Sequence, residues 1–474
     1  MGKKKFYLTT TLPYVNADPH IGFALETVQA DVIARFKRLQ GYDVFFNFGT
    51  DEHGIKVYSK ACEENKDPKK YCDEYAKKFK QLKKSLNLST TNFIRTTDKY
   101  HIKAAQEFWL KCLKNNDIYK KNYKSKYCNG CELEKTDSEL VDGKCPIHPS
   151  KKIAIHEEEN YFFRFSKYQK ILSQLYNKNP EFVIPTNRLK EIKTFVKKGL
   201  QDFSISRLKS KMPWGIEVPN DPEHVMYVWF DALINYISTI GWPDNLDKFK
   251  KWWPVTQFAG KDNLRQQSAM WQSMLASAQL PFSKQIVIHG FITVNGQKIS
   301  KSLGNVISPY DLVKKYGKDA TRYFLLSKIQ TFEDGDFTHK KFEDAYQADL
   351  ANGLGNLVAR ISGLARKHLI KKDKRKKEIS EEVAKAIEKY ELNKALEIIW
   401  EKIKKSDVYI NQRQIWNLKG KQREAAINYL IIQIRQIAYD LKPFLPETSE
   451  TIEKIFNGPK VILPKSLFPR LSNA

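Results

Sequence analysis

Apolar positions along this chain change their period from segment to segment. Phe6–Leu12 is a short β-like run, and Ala24–Leu39 has helical spacing through Leu25, Val28, Val32, Ile33 and Phe36. Asp43–Phe48 is β-like again. Strand, turn, helix, strand predicts a parallel sheet that binds ligands beyond the carboxyl ends of its strands. Residues 66–116 are Lys-rich and predict helix throughout, whereas 120–165 is short, turn-rich and breaks the rhythm, as an insertion does. Alternation resumes with Met226–Phe230, a helix over Asp231–Thr239, then Gln257–Gly260 and Gln285–His289. From Lys341 to Phe456 the period is helical, with Val383/Ala386/Ile387/Tyr390 and Leu392/Ala395/Leu396/Ile399 both fitting i, i+3, i+4, i+7. The basic stretch Lys371–Lys377 before them predicts an exposed connection. The fold class is therefore α/β with an insertion, followed by an all-α region.

Composition narrows this picture. At 474 residues the chain predicts two or three domains. Its net charge of +27, from 81 Lys+Arg against 54 Asp+Glu, suits a polyanionic partner such as RNA. A Lys/Asn/Ile-rich composition arises without such a partner too. No apolar run reaches the ~18–20 residues that span a bilayer. Asn16, Asp18 and His20 come too early for a signal peptide. Cys128, Cys131 and Cys145 cluster while Cys62, Cys72 and Cys112 are scattered, which predicts a reducing cytoplasm and no secreted disulfide framework.

Chemistry enters through short motifs. Pro19-His20-Ile21-Gly22 precedes a helix, where an imidazole and the helix N-terminus can hold a phosphate. Gly22 admits a base or sugar close to the backbone. Lys298-Ile299-Ser300-Lys301-Ser302 follows the turn Asn295-Gly296 and offers two charges and two hydroxyls to a polyphosphate. Either motif alone also suits an ordinary turn or a solvated loop; together, across a long α/β region, they define a nucleotide site. Cys128, Cys131, Cys145 and His148, two pairs with two residues inside each, match a closed tetrahedral zinc knuckle, with His156 as a spare ligand. Asp51, in Thr50-Asp51-Glu52-His53-Gly54, lies past a strand end and can receive an ammonium; Thr50 or Asp51 can equally cap a helix. Trp229 and Tyr236 can wall a pocket for a thioether or simply fill a core. Asn352, Asn356 and Arg360, four apart, share a helix face suited to unstacked bases, and Trp416 on a later helix can stack one; a plain polar face has the same pattern.

Over nearly its whole length the chain resembles the methionyl-tRNA synthetases, a family of class I aminoacyl-tRNA synthetases. The resemblance rests on Leu12-Pro-Tyr-Val-Asn-Ala-Asp-Pro-His-Ile-Gly, Gly49-Thr-Asp-Glu-His-Gly, the Cys/His knuckle, Tyr227-Val-Trp-Phe-Asp-Ala, Gly260-Lys-Asp, Asn295-Gly-Gln-Lys-Ile-Ser-Lys-Ser and the Asn/Asn/Arg face. It implies a Rossmann-like catalytic domain in two halves (1–115 and 211–340), split by a connective insertion (116–210) with a zinc knuckle at about 123–155, and a helical-bundle anticodon-binding domain (341–474). It implies methionine among Leu12, Tyr14, Asp51, Trp229, Ala232, Tyr236 and Gln267. It implies ATP among His20, Gly22, Gly260, Asp262, His289, Lys298, Ser300, Lys301 and Ser302, with catalysis by His20, Lys298 and Lys301. The implied cofactors are one structural Zn²⁺ and Mg²⁺ with ATP. The implied partners are tRNA(Met), initiator and elongator, read through Asn352, Asn356, Arg360 and Trp416, and no membrane. The chain ends at Ala474 without the extra RNA-binding, dimerising module of some members, so a monomer of 55.3 kDa is expected.

Phe23 stands where the family's first motif commonly has a second His, Ile299 where the second has Met, His148 for a common fourth Cys, and Gln267 for a common pocket His. Relatives for Ile, Val and Leu need a long editing insertion, because an apolar pocket separates one methylene by only about 1–3 kcal/mol. The insertion here is compact. A non-catalytic tRNA-binding paralogue and a small-molecule nucleotidyltransferase are the competing readings, and methionine-dependent pyrophosphate exchange separates them.

Overall fold

Period-two alternation builds the central sheet. Phe6 and Leu8 face one core while Tyr7 faces the other; Phe258 and Val287 oppose Val255, Ala259, Ile286 and Ile288 in the same way. The computed structural model describes residues 2–131, 133–135, 139–300, 303–370, 377–463 and 465–471. Its main sheet is wholly parallel, in the order Asn92–Arg95, Asp43–Thr50, Lys5–Thr9, Val255–Gly260, Gln285–His289, Val183–Ile184. Strand order reverses between Lys5–Thr9 and Val255–Gly260, the point where such sheets open a crevice for ligands.

The first helix, Ile21–Leu39, is buried without a break from Phe23 to Ala34. It has no solvent face because the sheet lies on one side and later helices on the other. Its buried carboxylates, Glu26 and Asp31, are each engaged, as described below. The helical half follows as predicted, through Leu392–Gln412, Gly420–Leu441 and Pro446–Phe456. One apolar cluster runs from Phe6 and Leu8 through the first helix to Ile399, Leu430 and Phe468, so both halves share a core.

Several expectations need correction. The first strand ends at Thr9, short of Leu12. Residues 66–116 are not all helix: Asn92–Arg95 is the edge strand of the sheet. Residues 120–165 are not uniformly short and turn-rich, because Ile118–Cys128 and Ile153–Phe163 form a long antiparallel hairpin with the knuckle at its tip. Lysines along Ile118–Cys128 hide its alternation. Met226–Phe230 is no strand; the strand ends at Met226 and a helix starts at Val228. Of the basic stretch before the helical half, residues 371–376 lie outside the described residues.

Candidate active site

The sheet places the predicted residues just past the carboxyl ends of its strands. His20 is the N-cap of the first helix, and its Nδ1 accepts from the Gly22 N–H at 3.0 Å. That bond leaves the ring proton on Nε2, which makes His20 a neutral donor aimed by the helix. Burial lowers its pKa and favours the same neutral form. A Cβ at Gly22 would stand 2.8 Å from His20 Cε1. Gly22 therefore makes room for its own neighbouring imidazole. Phe23 turns inward, edge-on to Phe79 at 5.6 Å.

The chain on either side of the second motif touches the first. Ile21 N donates to Ile307 O at 3.1 Å, and a Gly22 Cβ would lie 3.7 Å from Ile292 Cγ2. Ile292–Val294 pairs with Gln297–Lys298 through a tight turn with Asn295 at φ 53° and Gly296 at φ 72°. Asn305 clips the loop, accepting from Ser300 N at 2.8 Å and donating to Lys298 O at 3.0 Å. Ile299 packs on the core as an anchor. Lys301 and Ser302 lie outside the described residues.

Gly260, Asp262 and His289 also converge: from a Cβ at Gly260, Asp262 Oδ1 would be 2.9 Å and His289 Cε1 3.7 Å away. His289 Nδ1 donates to Gly290 O at 2.7 Å, and Nε2 meets Glu26 Oε2 at 2.8 Å. Burial opposes a charge on His289, but the Glu26 hydrogen bond and carboxylate and the Gly290 carbonyl outweigh it, so its pKa is raised. Glu26 Oε1 also accepts from Thr11 N and Oγ1, both at 2.7 Å. Glu26 thus ties the first strand's end to His289. Sequence reasoning missed it; an acid on the inward stripe of an apolar helix was the available signal.

Asp51 is buried and its backbone pairs with Tyr14, Val15 N donating to Asp51 O at 3.2 Å and Asp51 N to Pro13 O at 2.9 Å. Neither Thr50 nor Asp51 caps the next helix; Gly54 holds the cap position. Glu52 is locked by Arg95 (Nε 2.6 Å, Nη2 2.8 Å), Thr50 at 2.7 Å and Thr97 at 2.5 Å. Trp229 and Ala232 share the helix Val228–Leu233. Gln267 lies in a one-turn π-helix, a distortion frequent at functional sites, and donates to Tyr236 Oη at 2.9 Å while accepting from Gln257 at 2.8 Å. Gln267 and Tyr236 are thus joined; Leu12, half-buried, follows the first strand.

The knuckle passes the chemical test for zinc. The ligand atoms of Cys128, Cys131, Cys145 and His148 all lie within 4.8 Å of one another, with Cys131 Sγ 3.4 Å from Cys145 Sγ and 3.2 Å from His148 Nδ1. A tetrahedral ion with bonds of about 2.0–2.3 Å spaces its ligands at roughly 3.5 Å. A Cβ at Gly130 would strike His148 Cγ at 2.4 Å, so only glycine lets that ring close the set. Lys56 Nζ donates to Gly130 O at 3.1 Å, binding the knuckle to the Asp51 segment. The side chain of His156 lies outside the described ones.

A separate group occupies the helical half. Asn352 and Asn356 are exposed, and Arg360 Nη2 donates to Asn411 Oδ1 at 2.6 Å beside an ion pair with Asp407. Asn352 sits in the π-helix Tyr346–Gly355 and the other two in the α-helix Asn356–Leu364, so the uniform α spacing assumed for them does not hold. Trp416, 51% exposed, lies on the short 3₁₀ turn Ile415–Asn417 and not on a long helix.

The profile described as "tRNA synthetases class I (M)" matches residues 6–153 and 147–362, and "Anticodon-binding domain of tRNA ligase" matches 374–473. Fold and site together thus define a class I tRNA synthetase. The methionine–tRNA ligase of Thermotoga maritima is 43% identical over 94% of this chain and 74% of its own, and that of Synechocystis sp. 42% over 94% and 88%. Mycobacterium tuberculosis methionyl-tRNA synthetase in complex with methionyl-adenylate superposes with a TM-score of 0.92 at 33% identity, covering 98% of this chain and all of that one; its free state gives 0.84. The chain belongs to the methionine–tRNA ligase family, whose members are ATP-dependent enzymes that join methionine to tRNA in two steps.

Proposed function

We propose that this chain forms methionyl-adenylate from methionine and ATP and passes the methionyl group to the 3′-terminal ribose of tRNA(Met), both initiator and elongator being substrates. The observation that carries this reading is that the chain on either side of the Lys298 loop touches the His20 turn, and that Glu26 of the same helix holds His289 beside Gly260 and Asp262, where the sheet order reverses. Asp51 takes the methionine ammonium, and Leu12, Tyr14, Trp229, Ala232, Tyr236 and Gln267 enclose the thioether side chain. Gly260 and Asp262 hold the ribose and His289 the adenine. The methionine carboxylate attacks the α-phosphorus, and the bond to the β-phosphate oxygen breaks. His20 Nε2–H and Gly22 steady the five-coordinate phosphate, while Lys298, Ser300, Lys301 and Ser302 take the charge of the departing pyrophosphate. Mg²⁺ would neutralise the same phosphates. The ribose hydroxyl then attacks the mixed anhydride and AMP leaves. No protein nucleophile is needed, so catalysis is positioning and charge stabilisation.

Cys128, Cys131, Cys145 and His148 would hold one structural Zn²⁺, which fixes the hairpin tip. Residues 1–115 and 211–340 serve as the catalytic domain, 116–210 as its insertion, and 341–474 as the anticodon-binding domain with Asn352, Asn356, Arg360 and Trp416 at the bases. Among the described residues no helix is long and apolar enough to cross a membrane. A translation enzyme of this family acts in the cytoplasm. Methionine-dependent ATP–pyrophosphate exchange tests the reading: Lys301→Ala should lose about two orders of magnitude or more, the size expected for one transition-state donor. Folded, zinc-loaded wild type that exchanges nothing with methionine overturns it in favour of a tRNA-binding paralogue.

A further inference from the structure

Asp231 is fully buried on the helix Val228–Leu233 and plays no part in the chemistry above. Its Oδ2 lies 2.6 Å from His53 Nδ1 and its Oδ1 2.7 Å from His101 Nε2. His101 Nδ1 continues to Ser238 Oγ at 2.9 Å. His53, His101 and Ser238 are themselves buried. A buried carboxylate is costly unless hydrogen-bonded, and here two separate segments converge on the helix of Asp231 to satisfy one. The two histidines outweigh the effect of burial and hold the Asp231 carboxyl below the ordinary carboxylate range.

The sequence positions give this cluster its meaning. His53 stands two residues after Asp51; Asp231 stands two after Trp229 and one before Ala232. One carboxylate–imidazole bond therefore joins the loop that would hold the methionine ammonium to the helix that would hold its side chain. The two segments also touch beside it, a Cβ at Gly54 lying 3.6 Å from Val228 Cβ. The His53 ring is backed by Trp214 at 5.6 Å, whose Nε1 donates to Glu52 O at 2.6 Å. We propose that Asp231 is a positioning residue that, through His53, keeps the Asp51 loop in register with the Trp229–Ala232 helix and so sets the affinity for methionine. The inference rests on the methionine site proposed above.

ATP is assigned to His20, Gly260, His289 and the Lys298 loop, and among the described residues none of these bonds to this cluster. Slippage between the loop and the helix should therefore weaken methionine and spare ATP. A merely structural role moves thermal stability alone, or both substrates together. In pyrophosphate exchange, Asp231→Asn and His53→Ala should each raise KM for methionine about tenfold or more, the scale of a lost buried charge-assisted bond, with KM for ATP within about twofold. His53→Asn should restore methionine KM to within about threefold, because the amide nitrogen falls where Nδ1 was. Asp51→Asn with Asp231→Asn should raise KM by less than the product of the single effects, since both act on one contact. Asp231→Asn and His53→Ala that alter neither KM, or both KM values alike, overturn the proposal. Asp51→Asn alone tests the reading beneath it: an unchanged methionine KM there removes Asp51 from the ammonium site whatever Asp231 does. If Asp231→Asn does not fold, the His53→Ala and His53→Asn pair, made on the loop, carries the same comparison.

Discussion

The two nitrogens of His20 divide the cap seen in the structure from the phosphate donation proposed for it, and the two can be separated. Nδ1 caps the helix by accepting from Gly22, while Nε2 carries the proton. Asparagine retains an acceptor near the Nδ1 position and has nothing at Nε2. His20→Asn should therefore keep its melting temperature within a few degrees and lose about 10²–10³-fold in pyrophosphate exchange. A variant that instead unfolds early, with exchange per folded molecule intact, reduces His20 to a cap. Phe23 shows the reverse relation between sequence and site. It departs from the family motif, yet its ring is buried against Phe79, which leaves the proposed phosphate side to His20 and the helix N-terminus. His20, Asp51 and the Lys298 loop were legible in the sequence because each sits in a short local motif. Glu26, Glu52 and Arg95 were not, because each acts across 15 to 263 positions of chain through a partner that only the fold supplies.

At the scale of elements, the helices of the second half were legible because long amphipathic periods suffer little from local ambiguity. The hairpin was not, since Lys120, Lys121, Lys124 and Lys126 occupy its strand and leave few apolar positions to count. The knuckle at its tip has only a small buried apolar set, chiefly Tyr127, Cys128 and Cys145. Metal should therefore hold that tip together. Cys145→Ser, or prolonged chelation, should release one equivalent of zinc and expose residues 129–152 to proteolysis while the sheet stays folded. Intact proteolytic resistance after metal loss counts against a structural ion. In the helical half, Trp416 rests on a turn that Arg423 braces through Ile415 O at 3.3 Å and Trp416 O at 3.4 Å. Trp416→Ala should raise KM for tRNA about tenfold or more, the worth of one stacked base, with the tRNA-independent exchange reaction as its internal reference. Equal KM values for the two proteins would place the anticodon elsewhere.

Across the whole molecule, Arg322 is a buried polar fastening between the halves. It is fully buried, pairs with Asp31 of the first helix at 2.8 Å, and donates to Phe444 O at 2.7 Å, Pro443 O at 3.0 Å and Leu86 O at 3.0 Å. Burial opposes ionisation of Asp31, but Arg322, Arg35 and the Ser89 donors outweigh it and hold its pKa below the ordinary value. The folded pKa is thus lower than the unfolded one, so this contribution is complete above the ordinary carboxylate value and lost as pH falls through the lowered one. Melting temperature should fall steeply on the acid side of pH 4, and Asp31→Asn should flatten that slope. Arg322→Met, which takes one of two cations from the buried Asp31 and this donor from three carbonyls, should cost about 3–5 kcal/mol in urea unfolding. A loss under 1 kcal/mol would mean that the shared core alone joins the halves. That core, running from Phe6 to Phe468, has a consequence for how such a chain can change. Its two halves are not interchangeable modules: a helical half transplanted from a distant relative would bring the wrong knobs to the helix Lys318–Ser327, and new preferences should therefore arise by substitution on the exposed face, with the inner face inherited unaltered.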